Sequence, residues 1–255
     1  MSSLQKKVLM PRGLPPRPQV SSRGGPRGAR GRGGARVYTP LHWKKYFSSS
    51  KKIEIGKSVF NVYLAGDNEG PLLVFLHGGG YSGLTWAPLT SEITRLAECQ
   101  VLCLDLRGHG GSTTEDEYDL SPETMARDIS GIVDEHVKSL AKEPEVVLIG
   151  HSMGGALAVH TALEGQINNL IGLVVVDVVE GTAMDALTSM QSFLRSRPKS
   201  FPSLDHAIEW ALRSAQVRNN DSARVSMPGQ LLNSKSNQCA VLDVPEEDHV
   251  IYAIL

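Results

Sequence analysis

The residues most capable of chemistry lie in GHSMGG (150–155), where Ser152 occupies a Gly-x-Ser-x-Gly pattern. The apolar run Val146–Ile149 precedes this pattern and an Ala-rich run follows it, which predicts a buried strand, a tight turn and a helix. That order is the context of a nucleophile elbow. Gly150 and Gly154 would let the chain pass closely where a Cβ would clash. We therefore predict Ser152 as a nucleophile at a helix N-terminus, whose free N–H groups favour developing negative charge.

A second Gly-rich segment, HGGG (77–80), directly follows the apolar strand predicted at 72–76. Three consecutive glycines allow the backbone to turn its N–H groups toward a ligand, as in loops that supply one oxyanion donor beside a nucleophile elbow. We assign the two donors of the oxyanion hole to the backbone N–H groups of Gly79 and Met153. The competing interpretation is a flexible loop without a catalytic role.

A nucleophilic serine also needs a base and a carboxylate that orients it. The apolar strand LVVV (173–176) ends in Asp177, and the carboxyl ends of parallel strands are where sites form in α/β proteins. Asp177 is therefore our predicted acid. Asp105 ends another apolar strand and ranks second because it precedes the elbow. Glu180 and Asp185 rank below both and are interpreted otherwise as surface charges.

No histidine has an equally clear position. His109 precedes the nucleophile in a Gly-rich turn, where such residues more often shape the loop. His136 lies on the apolar face of a predicted helix and is interpreted as a packing residue. His249 follows the elbow and is formally available, but no strand and turn precede it. The sequence thus offers a nucleophile, an oxyanion hole and an acid without a recognisable base.

The elements around these residues predict an α/β fold with a mostly parallel sheet and helices on both faces. Four apolar strands, near residues 73, 102, 147 and 175, alternate with helical patterns. A hairpin at 53–63 is expected at the sheet edge. The first helix is expected to carry Leu89, Ile93, Leu96 and Ala97 on one face. The second opens at Ser121-Pro122 and is expected to bury an apolar face made of Met125, Ile129, Ile132, Val133, His136, Val137 and Leu140.

The composition divides the chain into unlike parts. The 255 residues are 41% hydrophobic and 21% charged, as in one globular domain. Thirteen of the 26 Lys and Arg residues precede the first acidic residue, Glu54, so the remainder has 13 basic against 27 acidic residues, a net charge of −14. Residues 1–36, rich in Arg, Gly and Pro, are predicted to be a disordered tail. This segment could be a merely solvated tail, an RNA-binding or nuclear-import segment, or an organelle transit peptide.

Residues 37–229 are predicted to form the α/β domain, and residues 230–255 a divergent segment. Two helical patterns, at 182–195 and 204–216, are predicted to form a cap over the site near 182–216, or else to be ordinary packing helices. No apolar run is long enough to span a membrane. Cys99 and Cys103 are interpreted as small core residues, and with Cys239 they form neither a disulfide framework nor a metal cluster. A reducing compartment, the cytoplasm or the nucleus, is therefore expected.

Several motifs together resemble those of the protein phosphatase methylesterases, a family of the α/β-hydrolase superfamily. They are GHSMGG (150–155), HGGG (77–80), DLRGHG (105–110), DVVEGTAMDAL (177–187) and SARVSM (222–227). The resemblance covers roughly 38–229. It implies a serine esterase in which Ser152 is the nucleophile and Asp177 the triad acid, with no metal or other cofactor. The implied substrate is the methyl ester of the C-terminal leucine of the type 2A protein phosphatase catalytic subunit, whose C-terminal tail is the implied partner.

The resemblance also identifies a departure. The triad histidine of the family lies near the end of a longer chain, in a Gly-His motif, and nothing after Met227 matches it. We therefore expect a fold that is incomplete toward the C-terminus and a chain that folds poorly or has little activity. Two other functions remain open. One is a general serine hydrolase of small esters, and the other is a non-catalytic protein that binds the phosphatase or, through its basic tail, nucleic acid.

Overall fold

The structure, a computed structural model, describes residues 37–67, 69–178, 198–233 and 239–241. The strands are β1 (Ser49–Ile55), β2 (Ser58–Gly66), β3 (Leu72–Leu76), β4 (Gln100–Leu104), β5 (Val146–His151), β6 (Leu170–Val176), β7 (Ser200–Phe201), β8 (Leu231–Asn233) and β9 (Cys239–Val241). The α-helices are α1 (Ala87–Leu96), α2 (Pro122–Lys138), α3 (Met153–Glu164), α4 (Leu204–Arg213) and α5 (Asn220–Ser226). Short 3-10 helices lie at Trp43–Lys45, Gly83–Trp86 and Met227–Gln230.

The main sheet has six strands in the order β1-β2-β4-β3-β5-β6. Strands β4, β3, β5 and β6 are parallel neighbours, which are the four apolar strands predicted from the sequence. Every residue of β3 and β4 is buried, as expected for strands covered on both faces. The predicted hairpin is also present, because β1 and β2 pair antiparallel through a turn that contains Gly56 at a φ of 61°. The α/β prediction is therefore confirmed.

Alternate residues of the strands enter two separate apolar cores. Leu72, Val74 and Leu76 of β3 pack on the face that α2 and α3 cover, whereas Leu73 and Phe75 pack on the face that α1 covers. This division follows from the two-residue period of a strand, and it requires a helix layer on each side. The predicted apolar face of α2 is buried at Met125, Ile129, Ile132, Val133 and His136. Cys99 and Cys103 are buried in the α1 core.

The predicted apolar face of α1 is not the face that the helix buries. Leu89 and Leu96 are 44% and 71% exposed, and the buried positions are Ala87 and Thr90. These small side chains let the helix approach the sheet closely, as the 3.6 Å contact between Thr90 Oγ1 and Cys103 Sγ shows. Close approach through small residues leaves the longer leucines at the margin of the contact. The apolar period alone did not reveal this arrangement.

The C-terminal part of the described chain forms a smaller cluster. Helices α4 and α5 pack with Phe201 and Met227 into a third apolar core, and β7, β9 and β8 form a three-stranded antiparallel sheet. The predicted cap helix at 204–216 corresponds to α4. Its predicted companion at 182–195, the tail at 1–36 and residues 242–255, including His249, lie outside the described residues. No described helix has the length and apolar character that crossing a membrane requires.

Candidate active site

The turn between β5 and α3 holds Ser152 in a strained conformation. Its φ of 51° and ψ of −122° are unusual for a residue with a side chain. Such backbone strain costs of the order of 1–3 kcal/mol and persists only where the surroundings enforce it. The N–H of Ser152 donates to the carbonyl of Val176 at 2.9 Å, and its own carbonyl accepts from Gly155 and Ala156 as α3 begins. This strand, turn and helix have the geometry of a nucleophile elbow.

Two glycines make this turn sterically possible. A Cβ on Gly150 would lie 2.1 Å from the carbonyl oxygen of Gly154, and a Cβ on Gly154 would lie 2.5 Å from the carbonyl oxygens of both Leu76 and His77. All of these obstacles are backbone atoms, which cannot rotate away. The predicted reason for glycine at both positions therefore matches the geometry. The contacts of Gly154 also bring the end of β3 directly against the elbow.

The HGGG loop lies beside the nucleophile because it follows β3. A Cβ built on Gly78 would lie 3.3 Å from the Cβ of Ser152, and one built on Gly79 would lie 3.9 Å from Met153 Sδ. The structure thus brings together Ser152 and the two residues, Gly79 and Met153, to which we assign the oxyanion donors. Their role as donors stays a prediction.

Two buried histidines, His77 and His109, form hydrogen bonds with the backbone in and around this loop. His77 Nε2 accepts from the N–H of Leu106 at 3.0 Å, and His109 Nε2 accepts from the N–H of Gly80 at 3.0 Å. The Nδ1 atoms lie 2.8 Å from the carbonyl of Gly78 and 2.7 Å from the carbonyl of Arg107, respectively. A nitrogen that accepts from an N–H has no proton, so both rings are neutral with the proton on Nδ1.

Their environment favours the neutral form. Burial lowers the pKa of His77 well below its ordinary value, and neighbouring His109 lowers it further. Burial also lowers the pKa of His109. The two rings are 5.0 Å apart between centroids and meet edge to face. His109 is therefore occupied in shaping the loop, as its turn position suggested, and is not placed as a base.

Asp177 lies immediately after β6, next to the elbow. It has a φ of 53°, and its exposed carboxylate places Oδ2 3.9 Å from Nε2 of His151. His151 is the residue just before the nucleophile and is about half buried. Burial lowers the pKa of His151, whereas the charge of Asp177 acts in the opposite direction. The predicted acid is thus near the predicted nucleophile and open to a further partner.

The environment of the second-ranked acid, Asp105, indicates a structural role. Asp105 is fully buried, and its carboxylate accepts from Asn61 Nδ2 and from the N–H groups of Gly83 and Gly111, each at 2.8 Å. Burial raises the pKa of Asp105, while these three hydrogen bonds act against the rise. Asp105 therefore holds together the loops that follow β3 and β4. The two lower-ranked acids, Glu180 and Asp185, lie outside the described residues.

No described imidazole is hydrogen-bonded to Ser152 Oγ, so the described ranges identify no base. A cavity of about 400 Å³ opens beside the elbow. It is lined largely by apolar surface, together with His151: Thr85, Trp86, Pro88, Leu89, Val176, Asn219 and Ser222. Two of its lining residues, His151 and Val176, directly adjoin the elbow at Ser152. The exposed Leu89 of α1 is one of these lining residues.

The parallel sheet, the elbow after β5 and the glycine loop after β3 define a class of enzyme fold. A model of the alpha/beta hydrolase family matches residues 73–245, and the chain belongs to this family. Solved structures agree at the level of the fold. An E-2-(acetamidomethylene)succinate hydrolase has a TM-score of 0.64 at 21% identity, covering 81% of this chain and 73% of its own. A thioesterase domain from the curacin biosynthetic pathway has a TM-score of 0.62 at 22% identity, with the same coverage.

More similar relatives confirm the resemblance seen in the motifs. The chain is 49% identical to protein phosphatase methylesterase 1 of Mus musculus and 48% identical to that of Homo sapiens, in each case over 96% of its length. A probable protein phosphatase methylesterase 1 of Caenorhabditis elegans is 49% identical over 78% of the chain and 54% of its own length. The chain spans 64% of the length of the mouse and human relatives.

Some residues that build the site were missed from the sequence. The pairing of His77 with His109, and the bidentate ion pair between Arg107 and Asp128, join segments that lie 21 or more residues apart. No local period or spacing marks these contacts. The DLRGHG motif was the available signal, since a buried acid, an arginine and a histidine within one short turn indicate a polar network.

Proposed function

We propose that this chain is a serine carboxylesterase that acts on the methyl ester of the C-terminal leucine of the type 2A protein phosphatase catalytic subunit. The observation that carries the proposal is the strained Ser152, with Gly79 and Met153 on one side and Asp177 at the end of the adjacent strand. The similarity to protein phosphatase methylesterases supports the choice of substrate. The cytoplasm or the nucleus is the proposed location, where such a phosphatase would be met.

In the proposed mechanism each group has one step in ester cleavage. Ser152 Oγ attacks the ester carbonyl, and the N–H groups of Gly79 and Met153 hold the resulting oxyanion. Methanol leaves, and water then releases the free carboxylate from the acyl-serine. Asp177 would orient the histidine that takes the serine proton and would stabilise its charged form. Within the described ranges that histidine has no identified counterpart, so the proposal includes slow turnover by this chain.

The direct test is release of methyl groups from a methylated type 2A phosphatase, measured with the 255-residue chain. Loss of the triad histidine in a comparable serine hydrolase lowers turnover by about 10⁶. We expect weak release that disappears in Ser152→Ala. His249→Ala tests the one histidine after the elbow that is outside the described ranges. Rapid release in both His249→Ala and the unmodified chain would show that a base is present and was overlooked.

Two further measurements separate the competing functions. A general esterase would hydrolyse a panel of p-nitrophenyl esters faster than the phosphatase methyl ester. A non-catalytic binder would hold the phosphatase tail but would not react with a fluorophosphonate probe at Ser152. Labelling that requires Ser152, together with a preference for the protein substrate, would support the proposed function. Labelling that is unchanged in Ser152→Ala would contradict it.

A further inference from the structure

The HGGG loop contains a tight turn whose central peptide has a defined orientation. The N–H of Tyr81 donates to the carbonyl of Gly78 at 3.2 Å, which closes a β-turn. Gly80, the third residue of this turn, has a φ of 69°, whereas the φ of Gly79 is not positive. These signs define a type II turn. The type I alternative differs by rotation of the peptide between Gly79 and Gly80, and two adjacent glycines allow both forms.

His109 favours one orientation of this central peptide. Its Nε2 accepts from the N–H of Gly80 at 3.0 Å, and because the peptide is planar and trans, the carbonyl of Gly79 points away from the imidazole. In the type I form that carbonyl would face Nε2 instead. The proton of the neutral ring is on Nδ1, which lies 2.7 Å from the carbonyl of Arg107. The lone pair on Nε2 therefore attracts the N–H and repels the carbonyl oxygen, which selects the type II form.

The imidazole of His109 is itself held in place. The residue is 1% exposed, and it lies between Gly108 and Gly110, whose φ values of 70° and 57° favour glycine. A Cβ built on Gly110 would overlap the buried carboxylate of Asp105. His109 is thus fixed by its own loop before it contacts the HGGG loop, which is the condition for orienting a neighbouring group precisely.

Other hydrogen bonds between the two loops hold the ends of the glycine segment. The N–H of Leu106 donates to Nε2 of His77 at 3.0 Å, and the N–H of Gly83 donates to Asp105 Oδ1 at 2.8 Å. Both bonds lie outside the turn, so they leave its central peptide free to rotate. Among the described hydrogen bonds between these loops, the one accepted by His109 acts inside the turn.

We propose that His109 is a positioning residue of the oxyanion hole, which keeps Gly79 in the single conformation that directs its N–H toward the reacting ester. Rotation of the central peptide changes ψ of Gly79, so this residue would alternate between conformations without the acceptor. Oxyanion donors are effective because they are oriented before the charge develops. The inference rests on the proposed function, because it concerns the same reaction at Ser152.

The test is the rate at which a fluorophosphonate modifies Ser152 in the 255-residue chain. Oγ bonds to phosphorus, fluoride leaves, the serine proton passes to solvent, and the phosphoryl oxygen gains negative charge in the oxyanion hole. Removal of a complete donor costs about 10²–10³ in rate, so His109→Leu should lower the maximal labelling rate at least about tenfold. The half-saturating probe concentration should stay within about twofold, since the hole acts on the charged state.

Rescue and control variants separate this role from general damage to the fold. His109→Gln should restore most of the rate, because its side-chain amide has both an acceptor and a donor. His136→Leu removes another buried imidazole, on α2, and should leave the rate unchanged. Gly80→Ala acts on the same peptide, because alanine disfavours a φ of 69°. Its loss of rate should therefore not add to that of His109→Leu.

Nuclear magnetic resonance decides the inference independently of reactivity. ¹⁵N relaxation dispersion should show exchange at Gly79 and Gly80 in His109→Leu and none in the unmodified chain. An unmodified chain that is not labelled would contradict the proposed function, and the exchange measurement would then decide the role of His109 alone. Labelling at the full rate in His109→Leu, no exchange in that variant, or equal exchange in the unmodified chain would overturn the inference.

Discussion

The backbone N–H of Gly80 donates a hydrogen bond to Nε2 of His109 at 3.0 Å, so a fully buried imidazole holds the end of the HGGG loop. The loop itself has three glycines and little intrinsic preference for one conformation. Its conformation is set by its neighbours. His109 accepts the hydrogen bond from Gly80, and the elbow packs against Gly78 and Gly79. Gly79, one of the two residues to which we assign the oxyanion donors, therefore lies in a loop whose conformation is held by its buried neighbours.

The first prediction concerns the tautomers of these histidines. His77 and His109 should both have an unprotonated Nε2 and a protonated Nδ1 near neutral pH, because each Nε2 accepts a hydrogen bond from a backbone N–H. The ¹⁵N spectrum of the imidazoles reports this directly. His109→Leu should speed hydrogen exchange at the Gly80 amide, whereas His109→Gln, which retains an acceptor, should preserve much of the protection. Protonated Nε2 signals at neutral pH would contradict the arrangement.

The second prediction concerns the glycines of the elbow. Gly154→Ala should destabilise the fold by several kcal/mol, because the new Cβ would lie 2.5 Å from two backbone carbonyls. Urea unfolding followed by circular dichroism measures the loss. Gly131→Ala in α2 is the matched control. Its Cβ would meet only the side chain of Ile55, at 3.3 Å, and alanine favours a helix by about 1 kcal/mol. Equal effects of the two substitutions would refute the steric explanation.

These cases also indicate what the sequence alone could predict. The elbow, the glycine loop and Asp177 are local patterns, each placed by the strand before it, so residue type and spacing sufficed to locate them. Their catalytic roles stay predictions. The apolar period predicted the buried face of α2 because that helix lies along the core for several turns. The apolar period did not predict the buried face of α1, because that helix packs on the sheet through the small side chains of Ala87 and Thr90. The His77–His109 contact depends on two loops meeting in space, which no local pattern describes.

The third prediction concerns acid stability. Burial lowers the pKa of His136 to about 4, from 6.5. Between these two pH values the unfolded chain binds more protons at His136 than the folded chain does. The contribution of the neutral His136 to the free energy of unfolding is therefore fully present above pH 6.5 and is lost as the pH decreases toward 4. The contribution is of the order of 3 kcal/mol. His136→Leu should flatten this part of the pH profile of urea unfolding.

The control for this prediction is Ile132→Leu, one turn earlier on the buried face of α2. It should shift stability by a similar amount at every pH, since no proton is involved. The lowered pKa values of His77 and His109 act in the same direction. Some acid sensitivity should therefore persist in His136→Leu. An unchanged profile in that variant would show that His136 is not responsible.

The last prediction concerns the buried ion pair that anchors the loop containing His109. Arg107 Nε and Nη2 donate to the two carboxylate oxygens of Asp128 on α2, at 2.7 and 2.9 Å, and both side chains are almost entirely buried. Asp128→Ala leaves the guanidinium buried without its partner, which should cost about 3–5 kcal/mol. The exposed pair of Lys57 and Glu115 should contribute about 1 kcal/mol or less.

A double-mutant cycle in urea unfolding separates the ion pair from general damage to the core. The sum of the separate losses in Arg107→Leu and Asp128→Ala should exceed the loss in the double variant, because removing both charges leaves neither one unpaired. Hydrogen exchange at Gly80 should also increase in Asp128→Ala, since release of Arg107 loosens the turn that holds His109 in place. Strictly additive losses, with Gly80 still protected, would mean that the ion pair and the HGGG loop are independent of each other.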